Sequence, residues 1–216
     1  TSWWAELMLL PALKSHPQAT VVALCGRNRE RAQALATKFA VPQVYTDYQQ
    51  MYTEAQIDAV VIATPDDTHY AMVMHAFDAD LHVLCEKPLA LTVAQAKAML
   101  ARAEASGRQH MVDFSFRWLP QVRYLFDLIA DGYLGACYHG HFRWLLKYPD
   151  FLLDGWRGSP TQAHGVLADL GAHLFDIARC TMGEITNVCA QVSAWPTHVD
   201  ANGRRLGPAN DAAVAM

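Results

Sequence analysis

The chain has 216 residues, 52% of them hydrophobic and 18% charged, which is enough apolar material for one large domain or two small ones. A formal net charge of −4 gives no attraction toward nucleic acid or anionic membrane. No apolar run reaches the roughly 20 residues of a membrane helix and no basic-then-apolar leader opens the chain, so a cytoplasmic globular enzyme is expected.

The chain opens at Thr1 into a helix-like stretch over 3–14. It closes at Met216 inside an apolar, strand-like run over 212–216. Such ends are expected of a fragment of a longer chain. Between them, the first two-thirds alternate strand and helix signals. Residues 20–25 form a short β-branched run, of the kind buried on both faces of a parallel sheet. Asn28 is a fitting N-cap for a helix over 29–39. A weak strand over 42–45 precedes Asp47, which caps a short helix to Glu54. Residues 57–63 are the strongest strand, ended by Thr64-Pro65-Asp66. A helix over 67–79 and a strand over 82–85 follow. Thr92 caps a long helix to Ser106 that Gly107 closes, and 110–114 is one more strand.

After about Phe116 the character changes. A helix over 119–130 ends at Asp131-Gly132, and a long stretch of strand character runs over 136–146. An irregular Gly/Pro segment leads to a helix over 165–182 and a strand over 186–195. The pattern predicts an α/β protein. A parallel sheet of βαβ units occupies the first part of the chain, to about Phe116. A second, α+β domain begins at about residue 117. Ligands of such sheets bind beyond the carboxyl ends of the strands. Gly26, Thr64 and Glu86 each fall just past one, so three loops are expected to converge on one edge.

Two groups of residues carry chemistry. Lys87 in Glu86-Lys87-Pro88 stands at a strand's carboxyl end, where a three-donor point charge reaches a substrate hydroxyl. A solvated turn lysine fits the spacing equally. Asp169, His173 and Asp176 are spaced by four and three, so they share one helical face. A polar stripe with a histidine suits proton transfer to and from an alcohol. Gly171 inside that helix carries a penalty of about 1 kcal/mol, which makes sense where something approaches closely. No metal site is expected, because neither Asp169/His173 nor His139-Gly140-His141 supplies a full ligand set. Hydrolase and NTPase signatures are absent. The five cysteines (Cys25, Cys85, Cys137, Cys180, Cys189) have no CxxC spacing and are expected to be reduced and structural.

Four motifs stand in one order: Asp58-Ala-Val-Val-Ile-Ala-Thr-Pro65 with His69; His82-Val-Leu-Cys-Glu-Lys-Pro-Leu-Ala90; Phe116-Arg117 with Pro120; and Asp169-x-Gly171-x-His173-x-x-Asp176. Through them the chain resembles the glucose-fructose oxidoreductase / inositol dehydrogenase / MocA family along nearly its whole length. The resemblance implies a Rossmann-type parallel sheet over 1–116, its first strand and glycine loop missing. It implies after it an α+β domain over 117–216, incomplete in this chain, whose open, mostly antiparallel sheet covers the nicotinamide. It implies Lys87 as catalytic lysine, His173 as proton carrier and Asp169 as its polar companion. It also implies cofactor contacts from Gly26, Arg27, Asn28, Thr64, Pro65, Asp66, His69, Glu86 and Lys87, and substrate contacts from Arg117, Trp156, Arg157, Asp169 and His173. Homo-oligomers through the C-terminal sheet are implied for the full-length protein.

The implied reaction passes a hydride between NADP or NAD and a sugar, polyol or related secondary alcohol. An NAD-dependent glycosidase of the same fold and a non-catalytic cofactor-binding regulator are the alternatives. Two departures stand out. The glycine-rich phosphate loop is absent, and Ala163-His164-Gly165 replaces the family's frequent double or triple glycine. Cys25-Gly26-Arg27-Asn28 lacks the acidic residue that holds an NAD ribose and supplies an arginine instead, which favours NADP(H).

Overall fold

The computed structural model describes residues 1–146, 156–158, 162–194 and 212–216. These fall into two compact units, one of Thr1–Thr64 with Thr68–Val112, the other of Pro65–Asp67 with Asp113–Met216.

The first unit is built from strands that alternate with helices. A π-helical turn, Ala5–Leu9, runs into α1 (Leu10–Ser15). Then come β1 (Ala23–Cys25), α2 (Arg29–Phe39), β2 (Gln43–Tyr45), α3 (Tyr48–Glu54) and β3 (Ala59–Ile62). After them stand α4 (Asp66–Asp78), β4 (His82–Glu86), α5 (Val93–Ser106) and β5 (His110–Asp113). β1 pairs with β2 in parallel, and β3, β4 and β5 form a second sheet in that order, with β3 and β4 parallel. The local signals act as their chemistry dictates. The side chains of Asn28, Asp47 and Thr92 accept hydrogen bonds from the backbone N–H groups of Arg31, Gln49 and Gln95, satisfying donors that each helix start leaves unpaired. Gly107 ends α5 at φ 67°, a left-handed conformation that side chains resist.

β3 and β4 show why the sheet holds together. Val60 and Ile62 on β3, and Val83 and Cys85 on β4, are buried at alternate positions. They cluster with Val73, Ala76 and Phe77 of α4 and with Met99 and Ala103 of α5. The spacings 73/76/77 and 99/103 are one helical face each, so two helices and two strands close a single core.

In the second unit a 3₁₀ turn, Ser115–Trp118, leads into α6 (Pro120–Ala130). A second 3₁₀ turn covers Trp156–Gly158, and a π-helical turn, Leu167–Gly171, runs into α7 (Ala172–Met182). β6 (Ala190–Ser193) and β7 (Ala212–Ala215) pair antiparallel. Three expectations change here. Residues 136–146 form no strand; their side chains are mostly exposed, and no described strand lies alongside to complete a hydrogen-bonded ladder. The helix expected over 165–182 begins as a π turn, where each bond spans five residues instead of four. The close approach expected at Gly171 comes from the chain itself. A Cβ there would lie 3.2 Å from Leu167 Cδ1. Gly165, the glycine kept from the Ala163-His164-Gly165 departure, has φ 65° and occupies a position where a side chain would be strained.

Candidate active site

In the first unit, the carboxyl ends of β1, β3 and β4 carry the residues expected to meet a dinucleotide. Glu86 is the last residue of β4 rather than the first after it, so its side chain takes the orientation of a strand position. It is buried, and its carboxylate accepts the Trp4 indole N–H at 2.6 Å and the Lys87 backbone N–H at 3.2 Å. Lys87 follows with a cis bond to Pro88.

Residues 1–4 run along this edge. The carbonyl of Thr1 accepts from Arg31 Nε at 2.8 Å, and a Cβ on Gly26 would overlap the Thr1 hydroxyl. The same short segment therefore touches the end of β1 at Thr1 and the end of β4 at Trp4. Arg27 and Asn28 are exposed, and Asn28 spends its carbonyl oxygen on the cap of α2.

His69 joins the other two loops. It is fully buried, with Nε2 3.0 Å from the Thr64 carbonyl and Nδ1 2.9 Å from the Pro88 carbonyl. The loop after β3 is thereby tied to the loop that carries Lys87. The Thr64 hydroxyl accepts from Thr68 Oγ1 at 2.7 Å. Asp66 is buried at the start of α4.

The second unit assembles its own cluster around α7. His173 is 5% exposed and Asp176 4%. The His173 ring lies flat on Phe116, with centroids 4.1 Å apart and planes 11° apart. Phe114 meets it edge-on at 6.1 Å, and Trp144 sits tilted at 6.1 Å. Arg117, the next residue along the turn, grips Asp176 with two donors, Nε at 2.6 Å and a terminal nitrogen on the other oxygen. That hydrogen-bonded carboxylate raises the guanidinium's already high proton affinity. Arg157 stacks over Trp156 at 4.4 Å and pairs with Asp169 at 3.4 Å. Each member of the Asp169/His173/Asp176 stripe thus has a partner from a different segment.

Trp4, Phe114, Phe116 and Trp144 had no role assigned from sequence. Their contacts depend on neighbours 29 to 82 positions away; Phe116 stands in the Phe116-Arg117 motif, which marks the position but not the ring it packs on. Among the described residues no cluster of three or more His, Cys, Asp or Glu side chains could hold a metal. His139 and His141 are exposed. No described helix is long and apolar enough to cross a membrane.

Comparison with known proteins adds the family context. Residues 2–114 match the model described as "Oxidoreductase family, NAD-binding Rossmann fold", and residues 122–216 match "GFO/IDH/MocA C-terminal domain". The chain is 34% identical over 178 residues to D-apiose dehydrogenase of Paraburkholderia graminis, covering 81% of this chain and 46% of that protein. A crystal structure of an oxidoreductase domain protein from Kribbella flavida superimposes with a TM-score of 0.82 at 30% identity, covering 95% of this chain and 59% of that one. Levoglucosan dehydrogenase in complex with NADH and levoglucosan gives 0.82 at 26% identity, with 96% and 57% covered. The chain spans about half the length of the curated relatives it matches, 46%, 58% and 46% of the first three.

Proposed function

The chain belongs to the glucose-fructose oxidoreductase / inositol dehydrogenase / MocA family of oxidoreductases, and on that premise we propose that the protein is an NAD(P)-dependent dehydrogenase of sugars or polyols. His173 carries the reading. It is a buried imidazole held flat on an aromatic ring, on a helix with two carboxylates that are each paired to arginine. Acid–base work on an alcohol needs a group that titrates near neutrality and points one way.

The first unit suits a dinucleotide. Gly26, Thr64 and Lys87 follow the carboxyl ends of its strands β1, β3 and β4, where ligands of parallel sheets bind. Bound NAD(P)⁺ supplies the hydride acceptor. His173 takes the hydroxyl proton, and Lys87 donates to the developing alkoxide. Asp169, paired with Arg157, stabilises the protonated imidazole. Arg117, Trp156 and Arg157 meet the substrate's remaining hydroxyls. His69 acts on the cofactor indirectly, since both of its nitrogens face backbone carbonyls. NADP is favoured over NAD because Arg27 is exposed just past β1 and no carboxylate stands at 26–28. Homo-oligomers form through the sheet of β6 and β7, whose residues are largely exposed.

The test is turnover by the whole protein, with NAD⁺ and NADP⁺, on D-apiose, levoglucosan and a panel of aldoses and polyols. Net accumulation of reduced cofactor with at least one substrate is expected. Sugar conversion without net reduction would point to a redox-neutral glycosidase, and cofactor binding with no conversion to a regulator; either outcome overturns the proposal.

A further inference from the structure

We infer that Phe116 and Arg117 together are positioning residues for His173, one setting the plane of its ring and the other the seat of its helix. The inference rests on the role proposed for His173. Rotation of an imidazole about Cβ–Cγ is a broad, nearly two-fold torsion with little preference of its own. Something outside the residue must therefore decide where the two nitrogens point. Phe116 lies 4.1 Å from the His173 centroid at 11°, so rotating the imidazole would drive its edge into the phenyl face. Trp144 extends the stack at 5.0 Å from Phe116, and Phe114 closes the flank edge-on.

A plane alone does not fix a position. Arg117 follows Phe116 in the same 3₁₀ turn and holds both oxygens of Asp176, just short of a full helical turn beyond His173. Asp176 is 4% exposed, so this fork is anchored where water does not compete. Two neighbouring residues of one turn thus grip two points, three residues apart, on one helix. The charged groups around His173 on these elements are Asp169 with Arg157 and Asp176 with Arg117. Both pairs are internally balanced, which leaves ring orientation as the property that Phe116 governs.

The test compares Phe116→Leu, Phe116→Tyr and His173→Ala in the whole protein, using the substrate and cofactor with the highest turnover. Leucine keeps most of the volume and has no plane; tyrosine restores the plane. Phe116→Leu should lower kcat about ten- to a hundredfold, with KM for the cofactor unchanged, and Phe116→Tyr should recover kcat to within about twofold. In spectra of histidine-labelled protein, the ring protons of His173 should be shifted upfield by the stacked phenyl and move downfield in Phe116→Leu. Should leucine prevent folding, Phe116→Met carries the same comparison. A variant that loses only melting temperature, or whose His173 resonances stay in place, overturns the inference while an inactive His173→Ala leaves the proposed function standing. Near-wild-type turnover in His173→Ala overturns both.

Discussion

Lys87 and His173 carry the sharpest expectation at the scale of single residues. General acid–base assistance is worth about 10²–10⁴ in rate, so Lys87→Ala and His173→Ala should each lower kcat by about that factor. Their effects should not add, because in the proposed reaction both serve one proton transfer. Steady-state kinetics with thermal melts on the same variants separate this from a packing defect, which would move the melting temperature and spare kcat. Arg27→Ala should weaken NADP more than NAD; equal loss for both cofactors would remove the case for the 2′-phosphate. Gly26→Asp is a poorer probe, since its Cβ would overlap the Thr1 side chain and any change in preference would be mixed with displacement of residues 1–4. Arg117→Ala acts differently again. It strands the Asp176 carboxylate, 4% exposed; an unsatisfied buried polar group costs about 1–3 kcal/mol, and a charged one more. The arginine side chain is itself 40% exposed, which keeps the loss toward the lower end because water screens that half of the pair. Asp176→Asn, which removes the buried charge and leaves an arginine that reaches water, should cost less. A chemical-denaturation midpoint for each variant decides the order.

Two glycines separate the kinds of constraint that act on an element. Gly107 has φ 67°, and a Cβ added to it would meet nothing within 4 Å, so its requirement is purely conformational. Gly107→Ala should destabilise by about 1 kcal/mol. Gly171 has ordinary helical angles, φ −60° and ψ −34°, and its nearest neighbour is a terminal methyl of Leu167 at 3.2 Å. That methyl is the far end of a flexible side chain and need give only a few tenths of an ångström, while alanine regains up to about 1 kcal/mol of helix propensity. Gly171→Ala should therefore be neutral or mildly stabilising. Opposite signs in the two denaturation midpoints are the expected outcome. A large loss at Gly171 would mean that the π turn needs glycine for a reason other than space.

Across the whole molecule the thiols report on packing. No disulfide joins any of the five cysteines; Cys137, Cys180 and Cys189 are exposed, Cys25 is half-buried and Cys85 is buried. Burial pushes the Cys25 thiol above its ordinary range, so less thiolate is present at neutral pH and its attack on a thiol reagent is slower. Titration under native conditions should show three fast thiols and two that wait for opening or unfolding. Fast reaction of Cys85 would contradict the packing of β4 in the core. The two compact units also predict that denaturation of the second unit's aromatic cluster and of the first unit's core need not coincide.

Much of this protein was legible in the chain alone, for a physical reason. Caps, breakers and apolar spacing act within a few residues, so Asn28, Asp47, Thr92 and Gly107 mark the helix ends where the structure has them. The alternation of strand and helix from β1 to β5 follows from the same local rules. Lys87 and His173 were legible as candidates because their motifs are local too. Tertiary structure decided what those residues touch. That Trp4 holds Glu86, that His69 ties two loops together, and that Phe116 and Arg117 grip His173 and Asp176 all join positions 19 to 82 apart. The strand expected over 136–146 is the converse case. A β pattern is only half of a ladder, and whether the other half stands beside it depends on the fold around it, not on the pattern itself.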